Sequence, residues 1–452
     1  MQPFRLHVLV CDQQKPEGVP SCRMHGAPRV IDALRAAVGR AGLADEVLIT
    51  VTGSMGVCER GPNVVVYPEG IWYSGVGAED VSEIVESHFR DGRPVERLMN
   101  RDENALRAEI RMNRDRAFAA MRAREESGML PDELEQTVRG YQESRVLLSA
   151  IEMDLFSAVG EGNTAEEIAT DARADLRGVA ILLDALAAMG LLTKDHQQYS
   201  LAPVAERFLT VGAEHDSRVA LMHHASLWNR WSDLTEIVKE GHGSALEEAP
   251  GRSAAFTRAF IALMHRNALG RAPLLVGAVG ASSVRRMLDI GGGSGAYSIA
   301  FAQANPSLEA EVLDLTDVLP IAREHIREAG LESRVTARAG DLRSDHFGSG
   351  YDLILLSAVC HMLGAGENRN LVRRAFAALA PGGRLVIQDF ILDPDRTSPR
   401  FAALFSVNML VSTERGRDYT EEEYTGWMRE AGFAQVARSR LPGPTDLIIG
   451  TR

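Results

Sequence analysis

Hydrophobic and polar positions divide the chain into stretches of different period. Residues 4–10, 46–51 and 63–67 carry the short β-rich runs of strands. Residues 29–41 and 78–90 repeat apolar positions at helical spacing. Turn formers lie between them, including Gly61-Pro62 and Pro68-Glu69-Gly70. Residues 1–95 are therefore expected to form a small α/β domain. Residues 96–129 change character, with arginine at 97, 101, 107, 111, 114, 116, 122 and 124 among Glu and Ala. A nucleic-acid arm would be basic throughout. The interspersed acids point instead to an exposed charged helical linker.

Residues 130–265 read as helical with one hairpin. Thr164 is placed to cap a helix, and Glu167 three residues on completes a capping box. Residues 181–189 form an amphipathic run, followed by strand-like 191–193, a turn, and 199–201. The order is that of a winged helix. A DNA-reading helix over 177–188 would offer only Arg177 as a base, so dimerisation and capping of a substrate are expected instead. Residues 266–452 form the last domain, alternating strands at 286–290, 311–314, 335–337, 352–357, 385–390, 435–439 and 446–450 with helices. The expected fold class is α/β, a doubly wound parallel sheet that ends in strands without a crossover helix.

The chain has 452 residues, 45% hydrophobic and 25% charged, with net charge −13. Acidity of this size disfavours general binding to nucleic acid or an anionic membrane. The longest weakly polar stretch, residues 273–284, is too short to span a bilayer. The N-terminus lacks the basic and apolar regions of a secretory signal. A cytoplasmic location is expected, where the four cysteines Cys11, Cys22, Cys58 and Cys360 would stay reduced.

Asp289-Ile290-Gly291-Gly292-Gly293-Ser294-Gly295 follows a strand and opens a helix. Gly291, Gly293 and Ala296 satisfy a dinucleotide fingerprint, so the glycines alone do not separate NAD from S-adenosylmethionine. The acids at successive strand ends do. Asp289 is awkward beside a pyrophosphate and suits a ligand with an amino group and a sulfonium. Asp314, before Leu315, can accept from two ribose hydroxyls. Gly340-Asp341-Leu342 follows the third strand, where an adenine amino group could be read.

Residues 130–452 resemble the O-methyltransferase family that includes plant caffeic-acid and isoflavone enzymes, acetylserotonin methyltransferases and bacterial polyketide-tailoring enzymes. The resemblance rests on residues 289–295, Leu313-Asp314-Leu315, Gly340-Asp341-Leu342, Ala380-Pro381-Gly382-Gly383 and Ala431-Gly432-Phe433. It implies a class I methyltransferase fold, S-adenosylmethionine as donor, and a homodimer formed through a helical domain. Residues implied in cofactor binding are Asp289, Gly291, Gly293, Gly295, Asp314, Leu315, Asp341 and Leu342.

Methyl transfer to a hydroxyl requires in-line placement and removal of a proton. A phenol of pKa about 10 is mostly protonated at neutral pH, so histidine is the natural base. His361, in Val359-Cys360-His361, follows strand 352–357 and matches the family's catalytic histidine. Met362 and Leu363 replace the Asp-Trp that usually follows it. Asp389 and Asp418 match the two acids that flank that base, although Asp418 stands where a glutamate is usual. Asn408-Met409, Met264, His265 and His223-His224 are weaker candidates for the acceptor pocket. His223 and His224 are adjacent, which suits packing better than shared metal ligation.

Cys11, Cys22 and Cys58, with Glu59-Arg60-Gly61-Pro62 and the stretch from Val66 to Tyr73, resemble thioredoxin-like 2Fe–2S ferredoxins. Ser54 occupies the third cysteine's place. The resemblance implies a cluster held by Cys11, Cys22 and Cys58, with Ser54 in the fourth position, or a scaffold that has lost its cluster.

The leading expectation is a methyltransferase acting on a hydroxyl of a small secondary metabolite, with His361 as general base. Alternatives are methylation at carbon or nitrogen of a tetrapyrrole or carotenoid, a catalytically silent redox-responsive binding protein, and a winged-helix regulator.

Overall fold

The computed structural model describes residues 4–15, 19–128, 130–160, 162–243 and 254–452. The expected helical stretch at 244–253 and the first three residues of the N-terminal domain lie outside the described residues. The chain divides into two compact units, Met1–Thr137 and Val138–Arg452.

The first unit is a four-stranded sheet with helices. Its strands are β1 (Leu6–Cys11), β2 (Val47–Thr52), β3 (Asn63–Tyr67) and β4 (Ile71–Ser74), in the order β2-β1-β3-β4. β1 runs parallel to β2 and antiparallel to β3. Helix Ala27–Arg40 supplies Val30, Ile31 and Leu34 to a core completed by Val8, Val64, Tyr73 and Phe89. The expected helix at 78–90 is a 3-10 turn, a single α turn and a π stretch, Ile84–Arg90. The widened turn buries both Val85 and His88, and the Tyr73 hydroxyl meets His88 Nδ1 at 2.8 Å. Helix Glu103–Ser127 covers most of the charged stretch. Its first half is packed rather than free: Leu106 is buried, and Asn113 Nδ2 donates to the Gly56 carbonyl at 2.8 Å.

The second unit opens with the winged-helix order. Thr164 caps helix Ala165–Asp171 and Glu167 completes the capping box. β5 (Asn163–Thr164), β6 (Leu192–Asp195) and β7 (Gln198–Leu201) make a three-stranded wing in the order β5-β7-β6. Ile168, Val179, Leu183, Leu186 and Tyr199 form its core.

A seven-stranded sheet follows. Its strands are β8 (Arg286–Ile290), β9 (Glu309–Asp314), β10 (Val335–Ala339), β11 (Tyr351–Ser357), β12 (Leu379–Asp389), β15 (Gln435–Ser439) and β16 (Asp446–Thr451). The short pair β13 (Ile391–Leu392) and β14 (Tyr419–Thr420) stands apart. The order is β10-β9-β8-β11-β12-β16-β15. The sheet is mixed: its parallel strands are followed by a closing pair that returns without a crossover helix, as the sequence predicts. β16 runs antiparallel to both β12 and β15. Only a short loop joins β15 to β16; a parallel return would need a crossover of a dozen or more residues. β8, β9, β11 and β12 are parallel, so their C-terminal ends share one edge. That edge, where the order reverses between β8 and β11, is where ligands bind in open α/β sheets. Both faces are covered by apolar clusters, one around Leu356, Ile387 and Trp427, the other around Leu355, Val312 and Phe301.

Candidate active site

The glycine loop sits on the C-terminal end of β8. Gly291, Gly293 and Gly295 have φ of 68°, 57° and 77°, a left-handed backbone that only glycine adopts readily. A Cβ on Gly291 would lie 2.8 Å from Val359 Cγ2. The loop after β8 therefore touches the turn after β11 that carries His361. The loop then opens helix Ala296–Ala304.

Two acids hold this loop differently. Asp289 is fully buried beneath it, with Oδ2 accepting from Ser298 Oγ at 2.9 Å. Its Oδ1 has no hydrogen-bond partner. Burial pushes the carboxyl up to about 7, with the Asp314 charge adding to the rise and the Ser298 bond opposing it. Asp289 thus lies beneath the loop with one carboxylate oxygen unpaired. Asp314 is half-buried at the end of β9. Its Oδ2 accepts from the Gly293 N–H and its Oδ1 from the Leu315 N–H, both at 2.7 Å. Leu315 packs with Ile261, Val318 and Ile321. Asp341 follows β10 and caps its own turn by accepting from the Arg343 N–H at 2.7 Å. Leu342 is half-buried against the core at the same edge.

The histidine and both acids converge. His361 follows β11 in a short 3-10 turn, Asp389 ends β12, and Asp418 precedes β14. His361 Nδ1 lies 2.6 Å from Asp389 Oδ1, and the His361 backbone N–H donates to Oδ2 at 3.2 Å. The Tyr424 hydroxyl donates to the same Oδ2 at 3.0 Å. Asp389 is fully buried, so these donors replace its hydration. One donor atom from each of His361, Asp389 and Asp418 lies within 4.8 Å of the others.

Electrostatics separate the two acids. Burial lowers the His361 pKa, but the charge of Asp389, its hydrogen bond and the charge of Asp418 outweigh it, and the net shift is upward. Asp418 is pushed up to about 8, first by burial and then by the Asp389 charge. Ser406 Oγ lies 3.3 Å from Asp418 Oδ2.

Aromatic rings flank the histidine. Phe405 meets it edge to face at 5.0 Å between centroids, and Phe390 lies at 5.9 Å. Phe401 stacks beside Phe405 at 6.0 Å and is exposed. Asn408 accepts from Trp231 Nε1 at 3.2 Å, joining helix Arg400–Ser412 to helix Arg218–Ser232. His265 Nδ1 lies 2.8 Å from Ser294 Oγ of the glycine loop and stacks on His325 at 3.9 Å. His223 packs on Phe256 and Phe260 with burial pushing its pKa down to about 4, the behaviour of a core histidine. Met409 is buried and Met264 half-buried. Ser298, Ser406, Tyr424 and the three phenylalanines were not foreseen. Each meets its partner through tertiary structure and stands in no local motif.

In the first unit, Cys11 at the end of β1, Cys22 and Cys58 place their sulfurs within 4.8 Å of one another. Ser54 Oγ lies 3.2 Å from Cys58 Sγ. Asn63 Nδ2, fully buried, donates to Cys22 Sγ at 3.4 Å and to the Val57 carbonyl at 2.9 Å. A Cβ on Gly61 would stand 2.7 Å from Cys22 Sγ, so glycine is what admits the sulfur there.

The mixed seven-stranded sheet, its glycine loop and the preceding helical domain define a class I methyltransferase fold. Residues 228–434 match the O-methyltransferase domain model, and residues 135–211 match the O-methyltransferase dimerisation domain model. The chain is 32% identical over 335 residues to the 3-hydroxy-5-methyl-1-naphthoate 3-O-methyltransferase of Streptomyces sahachiroi, covering 71% of this chain and 95% of that one. It is 32% identical over 316 residues to the N,N-dimethyltransferase OxyT of Streptomyces rimosus, covering 68% and 91%. The solved structure of PigF with SAH is 25% identical with a TM-score of 0.68, covering 72% of this chain and 99% of that one. The chain belongs to the O-methyltransferase family. Among the described residues no helix is long and apolar enough to cross a membrane.

Proposed function

We propose that this enzyme methylates an aromatic hydroxyl of a small secondary metabolite, with S-adenosylmethionine as donor and His361 as general base. The observation that carries the reading is the His361–Asp389 pair. An amine acceptor attacks through its own lone pair, whereas a hydroxyl must lose its proton. With Nδ1 held by Asp389, Nε2 is the nitrogen left to take that proton. Asp389 positions the ring and stabilises the imidazolium as it forms. Phe390, Phe401 and Phe405 offer flat apolar surface to an aromatic acceptor.

The glycine loop suits the donor. Its left-handed backbone leaves room against Val359, and Asp314, fixed by two backbone N–H groups, is set to accept from ribose hydroxyls. Asp341 and Leu342 would lie beside the adenine. The bound donor supplies an electrophilic methyl on a good leaving group. The protein's own contribution is in-line placement and proton removal.

Residues 130–265 are read as the dimerisation domain of a homodimer, supported by the family match over residues 135–211. Residues 266–452 are read as the catalytic domain, residues 1–95 as a ferredoxin-derived scaffold, and residues 96–129 as the charged helix following it. A cytoplasmic location is retained in this reading. The test is a panel of hydroxylated and aminated aromatics with isotopically labelled donor. Label on oxygen supports the reading, and label confined to nitrogen or carbon rejects it.

A further inference from the structure

The first unit carries a side-chain cluster that methyl transfer does not use. We propose that Cys11, Cys22, Cys58 and Ser54 form a mononuclear site for a tetrahedral, thiophilic divalent cation such as zinc, not a two-iron cluster.

The geometry decides between the two. A two-iron cluster divides its four protein ligands two and two between its irons. With three thiolates present, at least two of the three sulfur pairs must then reach across the cluster. Those pairs would be separated by the metal–metal distance plus the components of their two bonds along that axis. Here every pair lies within 4.8 Å. A single tetrahedral ion with bonds of about 2.3 Å sets its sulfurs about 3.8 Å apart. That value falls within the bound that all three sulfur pairs satisfy. Ser54 Oγ, 3.2 Å from Cys58 Sγ, is the oxygen donor beside the three sulfurs.

Surrounding residues build the site. Each sulfur is buried, and they come from three separate places: a strand end, a turn and the start of the 3-10 turn Cys58–Arg60. Buried Asn63 donates to Cys22 Sγ, the kind of outer contact that orients a thiolate ligand. The Asn63 amide is itself fixed, because its Oδ1 accepts from Ser74 Oγ at 2.6 Å. Gly61 leaves room for Cys22 where any side chain would displace it. Ser54 lies at the exposed rim, so the fourth position opens toward solvent. Three thiolates with one oxygen donor suit zinc or cobalt(II). Each cysteine loses its proton on binding.

The test uses the full chain, stripped with chelator under reducing conditions and titrated with cobalt(II), then zinc(II). The expected result is one cobalt per chain, with sulfur-to-metal charge transfer in the near ultraviolet and intense tetrahedral bands in the red. Zinc should displace it. The charge-transfer band excludes the other candidate cation site, His361 with Asp389 and Asp418, which has no sulfur. Cys22→Ser should weaken the band and Cys360→Ser should leave it intact. Ser54→Cys should raise its intensity by about one third, as thiolates increase from three to four. Should Cys22→Ser fail to fold, the Ser54→Cys gain still tests the assignment. Two irons and two sulfides per chain after anaerobic purification would overturn the proposal. So would cobalt bands without sulfur character, or bands unchanged in both Cys22→Ser and Ser54→Cys.

Discussion

His361 and Asp389 are joined twice: ring Nδ1 to Oδ1 at 2.6 Å, and backbone N–H to Oδ2 at 3.2 Å. The carboxylate therefore fixes both the turn that carries the histidine and the nitrogen that keeps its proton. Tyr424 holds the same carboxylate from the other side.

Asp389→Asn tests this double link. Asp389 raises the His361 pKa against the lowering effect of burial, so removing its charge should lower that pKa. Activity falls at low pH because a protonated base is inactive. The acid limb of kcat/KM should move to lower pH, while kcat at its plateau falls about 10²–10⁴-fold as the ring loses its orientation. A fall in kcat with no movement of the limb would mean that Asp389 has only a structural role.

Asp314→Ala removes the acceptor of the Gly293 and Leu315 N–H groups as well as the expected ribose contact. Donor binding by calorimetry should weaken by about 1.5–3 kcal/mol. Unchanged affinity would move the donor away from the end of β9.

Gly291→Ala places a methyl 2.8 Å from Val359 at a φ of 68°. Strain there costs about 1–3 kcal/mol. Denaturant unfolding should show that loss, together with weaker donor binding and a lower kcat, because the same contact reaches the His361 turn. Full stability in the variant would refute the close approach of the two loops.

Much of this was legible because it is local. The glycine run and the capping box of Thr164 and Glu167 stand in short windows, and strands Asn63–Tyr67, Arg286–Ile290 and Gln435–Ser439 begin and end where their patterns predict. His361, Asp389 and Asp418 were found by family pattern, and they meet. The closing strands were legible from the missing crossover helix before β16, because a short connection joins only antiparallel neighbours. Strand Ile71–Ser74 hid within an aromatic stretch read as motif. The depth of Asp289 could not be read either, because a strand-end acid can face out over the loop or lie beneath it. Ser298, Tyr424 and Ser406 are known only from the partners that folding brings them.

The buried acids predict how stability depends on pH. Asp418 and Asp289 have folded pKa values of about 8 and 7, above the unfolded value near 4. Their protonated forms favour the native state. That contribution is complete below about pH 4 and is lost as pH rises through 7 and 8. Asp418→Asn, which mimics the neutral acid, should flatten the fall in stability between pH 5 and 8. An equally steep fall in the variant, followed by chemical denaturation, would show that Asp418 does not titrate in that range.

If His361 takes the hydroxyl proton, single-turnover methyl transfer will register its loss. His361→Ala, saturated with donor and with a hydroxylated acceptor identified from the panel, should react about 10²–10⁴-fold more slowly than the parent. Its affinity for S-adenosylmethionine should be unchanged, and the rate on a phenol should recover as pH approaches the phenol's own pKa. A His361→Ala enzyme that transferred methyl to oxygen at the parent rate would contradict the account.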